Sequence, residues 1–220
     1  MLASAFGFQG QKCSACSRLI VLDAIYEQPI ERLVAAAQSW RIGPAEDPTF
    51  AMGAVAEAAA RDKILDYSDI GWREGQLLYA SPVPDGEGYW VPLTIFTGIE
   101  PGHRLAQEEI FGPVLLVMRA ANFDQAIAWA NATKLALTGG LFSRSPVNIE
   151  RVRHEFLVGN LYVNRAITGA LVGRQPFGGC ALSGVESKAG GPDYLRHFID
   201  QRVVTENTMR RGFAPTVPDR

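Results

Sequence analysis

Cysteine and histidine are both scarce here, three of each in 220 residues. The cysteines are Cys13, Cys16 and Cys180. An odd count in a chain this long argues against a disulfide framework and for a reducing, cytoplasmic compartment. His103, His154 and His197 lie scattered, without ligand spacing among themselves or with the cysteines, so no metal site is expected. No apolar run approaches the roughly 18 to 20 residues of a membrane span. The N-terminus lacks the basic stretch that opens a secretory signal. A net charge of −2 and a pI of about 5.9 leave neither sign dominant. With no long basic run either, nucleic acid and membranes are not expected partners. Also missing are an internal repeat, a low-complexity linker and a Gly-x-Gly-x-x-Gly turn near the N-terminus.

What remains is ordinary globular material, 47% hydrophobic and 20% charged, long enough for a substantial core. Short apolar runs at 18–22 (RLIVL), 76–80 (QLLYA) and 112–120 (GPVLLVMRA) predict strands. Further strands are predicted at 89–99, interrupted by Pro92, at 136–143 and at 159–165. Between them lie helical patterns. Ile30, Leu33, Val34, Ala37 and Trp40 fall at helical spacing within 26–40, and 54–69 is alanine-rich. Helices are also predicted over 122–133, with Asn122 as cap, and 146–156, with Ser145 as cap and Pro146 in the first turn. Strands that are apolar throughout and alternate with helices predict an α/β fold: an open, mostly parallel sheet with helices on both faces. An extended segment is expected near Arg202–Thr205, and a frayed end over 211–220.

Three segments carry chemistry-bearing residues. GQKCSACSR at 10–18 sets Cys13 among small residues, just before a turn that leads into a strand. Backbone N–H groups at such a turn lower a thiol pKa and can hold a developing oxyanion. A buried structural cysteine and a C-x-x-C pair of Cys13 with Cys16 are the competing readings. EEIFGPV at 108–114 puts two carboxylates and an aromatic beside a Gly-Pro turn. A carboxylate there can hold a sugar diol, or simply be a solvated acidic loop. The stretch 164–192 has glycines at 169, 173, 178, 179, 184, 190 and 191. They let backbone approach a ligand closely, and free N–H groups form an anion-binding nest. The bland alternative is a long surface loop.

Together these segments resemble the aldehyde dehydrogenase superfamily, and within it the 1-pyrroline-5-carboxylate (glutamate-semialdehyde) dehydrogenases. The motifs are Gly10-Gln11-x-Cys13, Glu109-x-Phe111-Gly112-Pro113, and Pro176–Gly179 followed by Ser183-Gly184. The narrower family adds TGALVGRQPFGG at 168–179 and SKAGGPDYL at 187–195. ENTMRRGFAP at 206–215 resembles the ends of bacterial members. Ala54 and Leu135 depart from the family's usual residues.

The resemblance implies an NAD-dependent oxidation of glutamate semialdehyde to glutamate through a thiohemiacetal and a thioester. Cys13 matches the nucleophile. Glu109 matches the residue that holds the nicotinamide ribose, and Phe111 the one beside it. Ser14, Gly169 and Ala170 match the anchor for the substrate carboxylate, and Phe177 an aromatic wall. It further implies a catalytic-thiol domain over 1–195 and an oligomerisation segment with tail over 196–220. Family members are more than twice as long. Their cofactor domain, an oxyanion-hole Asn and a water-activating Glu have no counterpart here. The chain is therefore expected to be a fragment without turnover of its own, with an exposed apolar face and a homo-oligomeric or complementary partner. The alternative is a non-catalytic remnant or partner-binding module that keeps the fold.

Overall fold

The computed structural model describes residues 1–184 and 187–207. Its centre is β4 (Val114–Ala120), where only Arg119 is exposed. Successive side chains of a strand point to opposite faces, so a strand buried along its length needs cover on both. Leu115 and Val117 join Leu93 and Ile95 in one core, roofed by α1 (Leu2–Phe6) and α2 (Glu27–Gln38). Val114, Leu116 and Met118 join Phe96 and Ile64 in the other, under α3 (Ala58–Glu74) and α4 (Arg104–Gln107).

The four-stranded sheet has the order β1-β4-β3-β2. Here β1 is Arg18–Leu22, β2 Gln76–Ala80 and β3 Thr94–Thr97. β1 and β3 both run parallel to β4, and β2 is an antiparallel edge joined to β3 across a register shift. α5 (Phe123–Asn131) follows β4. Then come β5 (Leu135–Ala136), β6 (Thr138–Leu141), α6 (Pro146–Glu155) and β7 (Asn160–Val163). β6 and β7 form a separate parallel pair, and β5 pairs antiparallel with β8 (Cys180–Ala181). The α/β class and the helices on both faces agree with the sequence reading. The sheet, however, comes in pieces.

Local departures have local causes. The predicted strand 89–99 shrinks to Thr94–Thr97. Pro92 lacks an N–H, the Leu93 N–H is taken by Ser81 Oγ at 2.9 Å, and Gly98 ends the strand at φ +70. α3 starts at Ala58, not 54, because the buried Val55 is pinned by its N–H to the Tyr89 carbonyl at 3.0 Å. Both predicted caps stand: Asn122 accepts from Gln125 N–H at 2.9 Å, and Ser145 from Asn148 N–H at 3.3 Å. The segment expected to be extended, Arg202–Thr205, pairs with no strand among the described residues, and Val203 is 88% exposed. The expected frayed end, and 208–220 of the tail, lie outside the described residues.

Candidate active site

The thiol segment is shaped by its approach. Phe8, Gln9 and Gly10 all have positive φ, 58°, 57° and 65°. Left-handed backbone costs a non-glycine residue about 1–2 kcal/mol, so something must hold it. Gln11 N–H donates to the Phe8 carbonyl at 2.9 Å, and Gln11 Oε1 accepts from Ala56 N–H at 3.0 Å. Gly10 fixes the position most tightly. A Cβ there would lie 2.3 Å from the carbonyl oxygen of Gly112. A Cβ on Gly112 would in turn lie 2.4 Å from the Ile64 side chain. The Gly10 and Gly112 backbones therefore touch directly. Cys13 is three residues from that contact, at most about 11 Å of chain, and Phe111 is the next residue along.

Cys13 sits in a single turn, closed by Ala15 N–H on the Lys12 carbonyl at 3.0 Å, that runs straight into β1. Its side chain is exposed, and among the described residues its N–H has no hydrogen-bond partner. Cys16 differs. It is half-buried, its Sγ donates to the Arg18 carbonyl at 3.5 Å, and burial pushes its thiol up to about 11. A thiol so held stays protonated well into the alkaline range.

The two adjacent carboxylates also part company. Glu108 is clamped by Arg104 Nε and Nη2, each at 3.0 Å, and by the Tyr67 hydroxyl at 2.5 Å. Those donors hold its carboxyl down at about 2. Glu109 contributes only its carbonyl, which accepts from Lys63 Nζ at 2.8 Å. Its exposed carboxylate is unpaired among the described residues. Phe111, 40% exposed, stands at φ +60, an uncommon conformation for an aromatic residue. The helix α3 thus grips the 108–112 loop at three points, by Lys63, Tyr67 and Ile64. The sequence reading missed Lys63, Tyr67 and Arg104. Only the Arg104–Glu108 pair left a trace there, at i,i+4 spacing.

Cys13, Glu109 and Phe111 line one groove of about 650 Å³. Ile167, just before the glycine-rich loop, and Ser183 line it too. Ser14 is buried, and it and the remaining expected residues are not among the lining. Gly169 takes φ +92 and is exposed, while Ala170 is half-buried. Phe177 is half-buried and held to Ala189 by two backbone hydrogen bonds of 2.9 Å. Asn160 braces this segment, donating to the Pro176 carbonyl at 2.8 Å and accepting from Gly178 N–H at 3.1 Å.

Comparison with known proteins bears on what this groove is. The model of the aldehyde dehydrogenase family matches residues 1–204. The chain belongs to the aldehyde dehydrogenase family. It is 48% identical over 207 residues to the 1-pyrroline-5-carboxylate dehydrogenase of Geobacillus thermodenitrificans, covering 94% of this chain and 40% of the relative. Among solved structures it is similar to proline utilization A from Bdellovibrio bacteriovorus, at 55% identity and a TM-score of 0.89. That match covers 98% of this chain and 22% of the other. It is also similar to the 1-pyrroline-5-carboxylate dehydrogenase of Thermus with bound NAD, at 50% identity and a TM-score of 0.87, over 90% of this chain and 38% of the other. The chain thus spans about two fifths of the length of the curated relatives it matches. Among the described residues no helix is long and apolar enough to cross a membrane.

Proposed function

We propose that this chain is the thiol-bearing part of a dehydrogenase that oxidises glutamate 5-semialdehyde to glutamate. The single observation that carries the reading is the company Cys13 keeps: an exposed thiol, a Glu109 carboxylate unpaired among the described residues and a strained Phe111 on one groove. The named relatives narrow the substrate class.

The Cys13 thiolate attacks the aldehyde carbon, and the carbonyl oxygen becomes an oxyanion on a thiohemiacetal. The free N–H of Cys13 is a donor for that oxyanion. Collapse of the thiohemiacetal releases hydride and leaves a thioester on Cys13. Water hydrolyses the thioester to the carboxylic acid and returns the thiol. NAD, when bound, accepts the hydride. Its ribose hydroxyls suit the Glu109 carboxylate, which the neighbouring clamp on Glu108 leaves uncommitted, and Phe111 offers a ring face beside it. Ser14, Gly169 and Ala170 supply hydroxyl and N–H donors for the substrate's α-carboxylate, and Phe177 an apolar wall along its chain. Residues 1–195 are the catalytic-thiol domain. Residues 196–220 are an oligomerisation segment, consistent with the exposure of Val203 and Val204. Three free cysteines fit a cytoplasmic setting.

Turnover by the 220-residue chain alone is not expected. The test is to mix it with the separately expressed part of the Geobacillus thermodenitrificans relative that it does not match, and to follow NADH formation from glutamate semialdehyde. Activity that needs both polypeptides, and that Cys13→Ala abolishes, supports the reading. Activity that survives Cys13→Ala would sink it. No activity in a well-formed complex would favour a partner-binding module without catalysis.

A further inference from the structure

The loop that follows β7 has almost nothing to lean on at Gly169. Apart from its chain neighbours, a Cβ built there would meet a single atom within 4 Å, Arg165 Nη2 at 4.0 Å. At φ +92 the residue sits in a region that glycine enters freely and leaves freely. Packing therefore does not fix the direction of its peptide groups. The N–H groups of Gly169 and Ala170 have no hydrogen-bond partner among the described residues. As donors to an anion they count only if something holds them pointing one way.

A polar relay does hold them. With its oxygen toward Arg165 and its nitrogen toward Gly169, the Gln175 side-chain amide is satisfied at both ends. The oxygen accepts from Arg165 Nη1 at 3.0 Å, and the nitrogen donates to the Gly169 carbonyl at 3.1 Å. A trans peptide is planar, with its C=O and N–H pointing in opposite directions. Pinning the Gly169 carbonyl on Gln175 therefore aims the Ala170 N–H away from Gln175. Both ends of the relay are themselves fixed. The Arg165 guanidinium lies over the ring of the buried Tyr162, on β7, 5.2 Å from its centroid. Gln175 N–H donates to the Leu171 carbonyl at 2.7 Å, and Gly173 N–H to the Gly190 carbonyl at 3.0 Å, which closes the loop on itself. Arg174, the neighbour of Gln175, is exposed, and among the described residues only its main chain is engaged, its N–H on the Leu171 carbonyl at 3.0 Å.

We propose that Gln175, aligned by Arg165, is a positioning residue that gives the site its preference for a carboxylate-bearing substrate. Gln175 touches no reacting atom. It acts through Gly169, whose carbonyl it holds, so that the Ala170 N–H meets the substrate's α-carboxylate without a reordering of the loop. Arg165 decides which end of the amide faces Gly169, since a guanidinium only donates and so selects the amide oxygen. Its second nitrogen, Nη2, also sets positive charge beside Gly169. The order of the two ends is what matters. Gln175→Glu keeps an acceptor for Arg165 but offers Gly169 no donor, and it sets a carboxylate oxygen against a carbonyl oxygen. In naming the ligand the inference rests on the proposed function; the relay itself stands on the contacts of this loop.

The experiment follows the amide resonances of the full chain while L-glutamate, which carries the same α-carboxylate, is added. The Ala170 amide should move saturably with L-glutamate and stay in place with isoglutamine, in which that carboxylate is an amide. Gln175→Glu should weaken L-glutamate binding at least about tenfold, and Arg165→Met about threefold, with Arg165→Lys recovering part of the loss. Arg174→Gln removes the same charge from the same loop and should leave binding unchanged. The β4 amides of every variant should match those of the unaltered chain. Should Gln175→Glu fail to fold, the comparison of Arg165→Met with Arg174→Gln decides. The inference is overturned if Gln175→Glu binds as tightly as the unaltered chain. An equal loss in Arg174→Gln and Arg165→Met would overturn it too, as would an Ala170 amide that L-glutamate never moves. Relay-dependent binding without NADH formation in the two-polypeptide assay would uphold the relay and count against the activity. NADH formation with a semialdehyde KM that Gln175→Glu leaves unmoved would do the reverse.

Discussion

Residues up to about 120 and residues beyond 160 treat their apolar side chains differently. In the first region Phe6, Ile64, Leu93, Ile95, Phe96, Leu116 and Met118 are fully buried. In the second, Leu171, Val172, Leu182, Leu195, Phe198 and Val203 all lie at the surface. The nucleophile candidate, the ribose-holding candidate and Ser14 belong to the first region, the anchor candidates Gly169 and Ala170 to the second. The comparison teaches that half of the site is built on a core this chain makes for itself. The other half hangs from short strand pairs and backbone turns, with its large apolar side chains at the surface.

The contrast can be broken most forcefully at the core. Leu116→Ala should lower stability by about 2–5 kcal/mol, read as a drop in the thermal or urea midpoint. Val203→Ala should shift the same midpoint by no more than about 0.5 kcal/mol. Comparable losses at both positions would mean the second region packs as tightly as the first.

Gly10→Ala tests the backbone contact that sets Cys13 beside Phe111. The added carbon would meet the Gly112 carbonyl at 2.3 Å, at a φ of +65. Since backbone cannot swing aside as a side chain can, a loss of about 1–3 kcal/mol is expected. Alkylation of Cys13 should also change rate. Ala170→Gly, in the outer loop, should leave both readings near those of the unaltered chain.

The two cysteines give a smaller and sharper comparison. With its thiol pushed to about 11 against an ordinary 9.0, Cys16 holds roughly 100-fold less thiolate at pH 8 than an unperturbed cysteine. Mass-resolved alkylation should label Cys13 well before Cys16. The sign for stability follows. The unfolded thiol ionises first, so stability falls as pH rises from about 9 to about 11. Equal labelling of the two would show that Cys16 is not held as described.

The smallest effect concerns the Glu108 clamp. Its carboxyl is depressed from 4.5 to about 2 by Arg104 and Tyr67. Its contribution is therefore present above about 4.5 and lost as pH falls toward 2. Amides of 108–112 should exchange faster across that window. Tyr67→Phe should remove part of the effect and leave the β4 amides unchanged.

The particular elements show what was legible. β1 and β4 were plain as apolar runs, and α5 and α6 as helices with Asn122 and Ser145 at their caps, because those signals are local. The strand at 89–99 was overcalled, since Pro92 and the Ser81 hydroxyl compete with the ladder for partners. For the site, Cys13 and Glu109 were named from motifs. Only the motif separated Glu109 from Glu108; the physical difference was hidden, because the donors that clamp Glu108 include Tyr67, 41 positions away. Periodicity does not see across such a gap.

By itself, then, the sequence determined the main strands and helices, the apolar character of the central strands, the capping of two helices and the motifs that name the candidate site residues. Each is a property of a short stretch of chain. Only the tertiary structure decided that Gly10 and Gly112 touch, that one of two adjacent carboxylates stays uncommitted among the described residues, and that β1 and β6 line one groove. These are mostly contacts between segments far apart in the chain, and close packing, not local propensity, sets them.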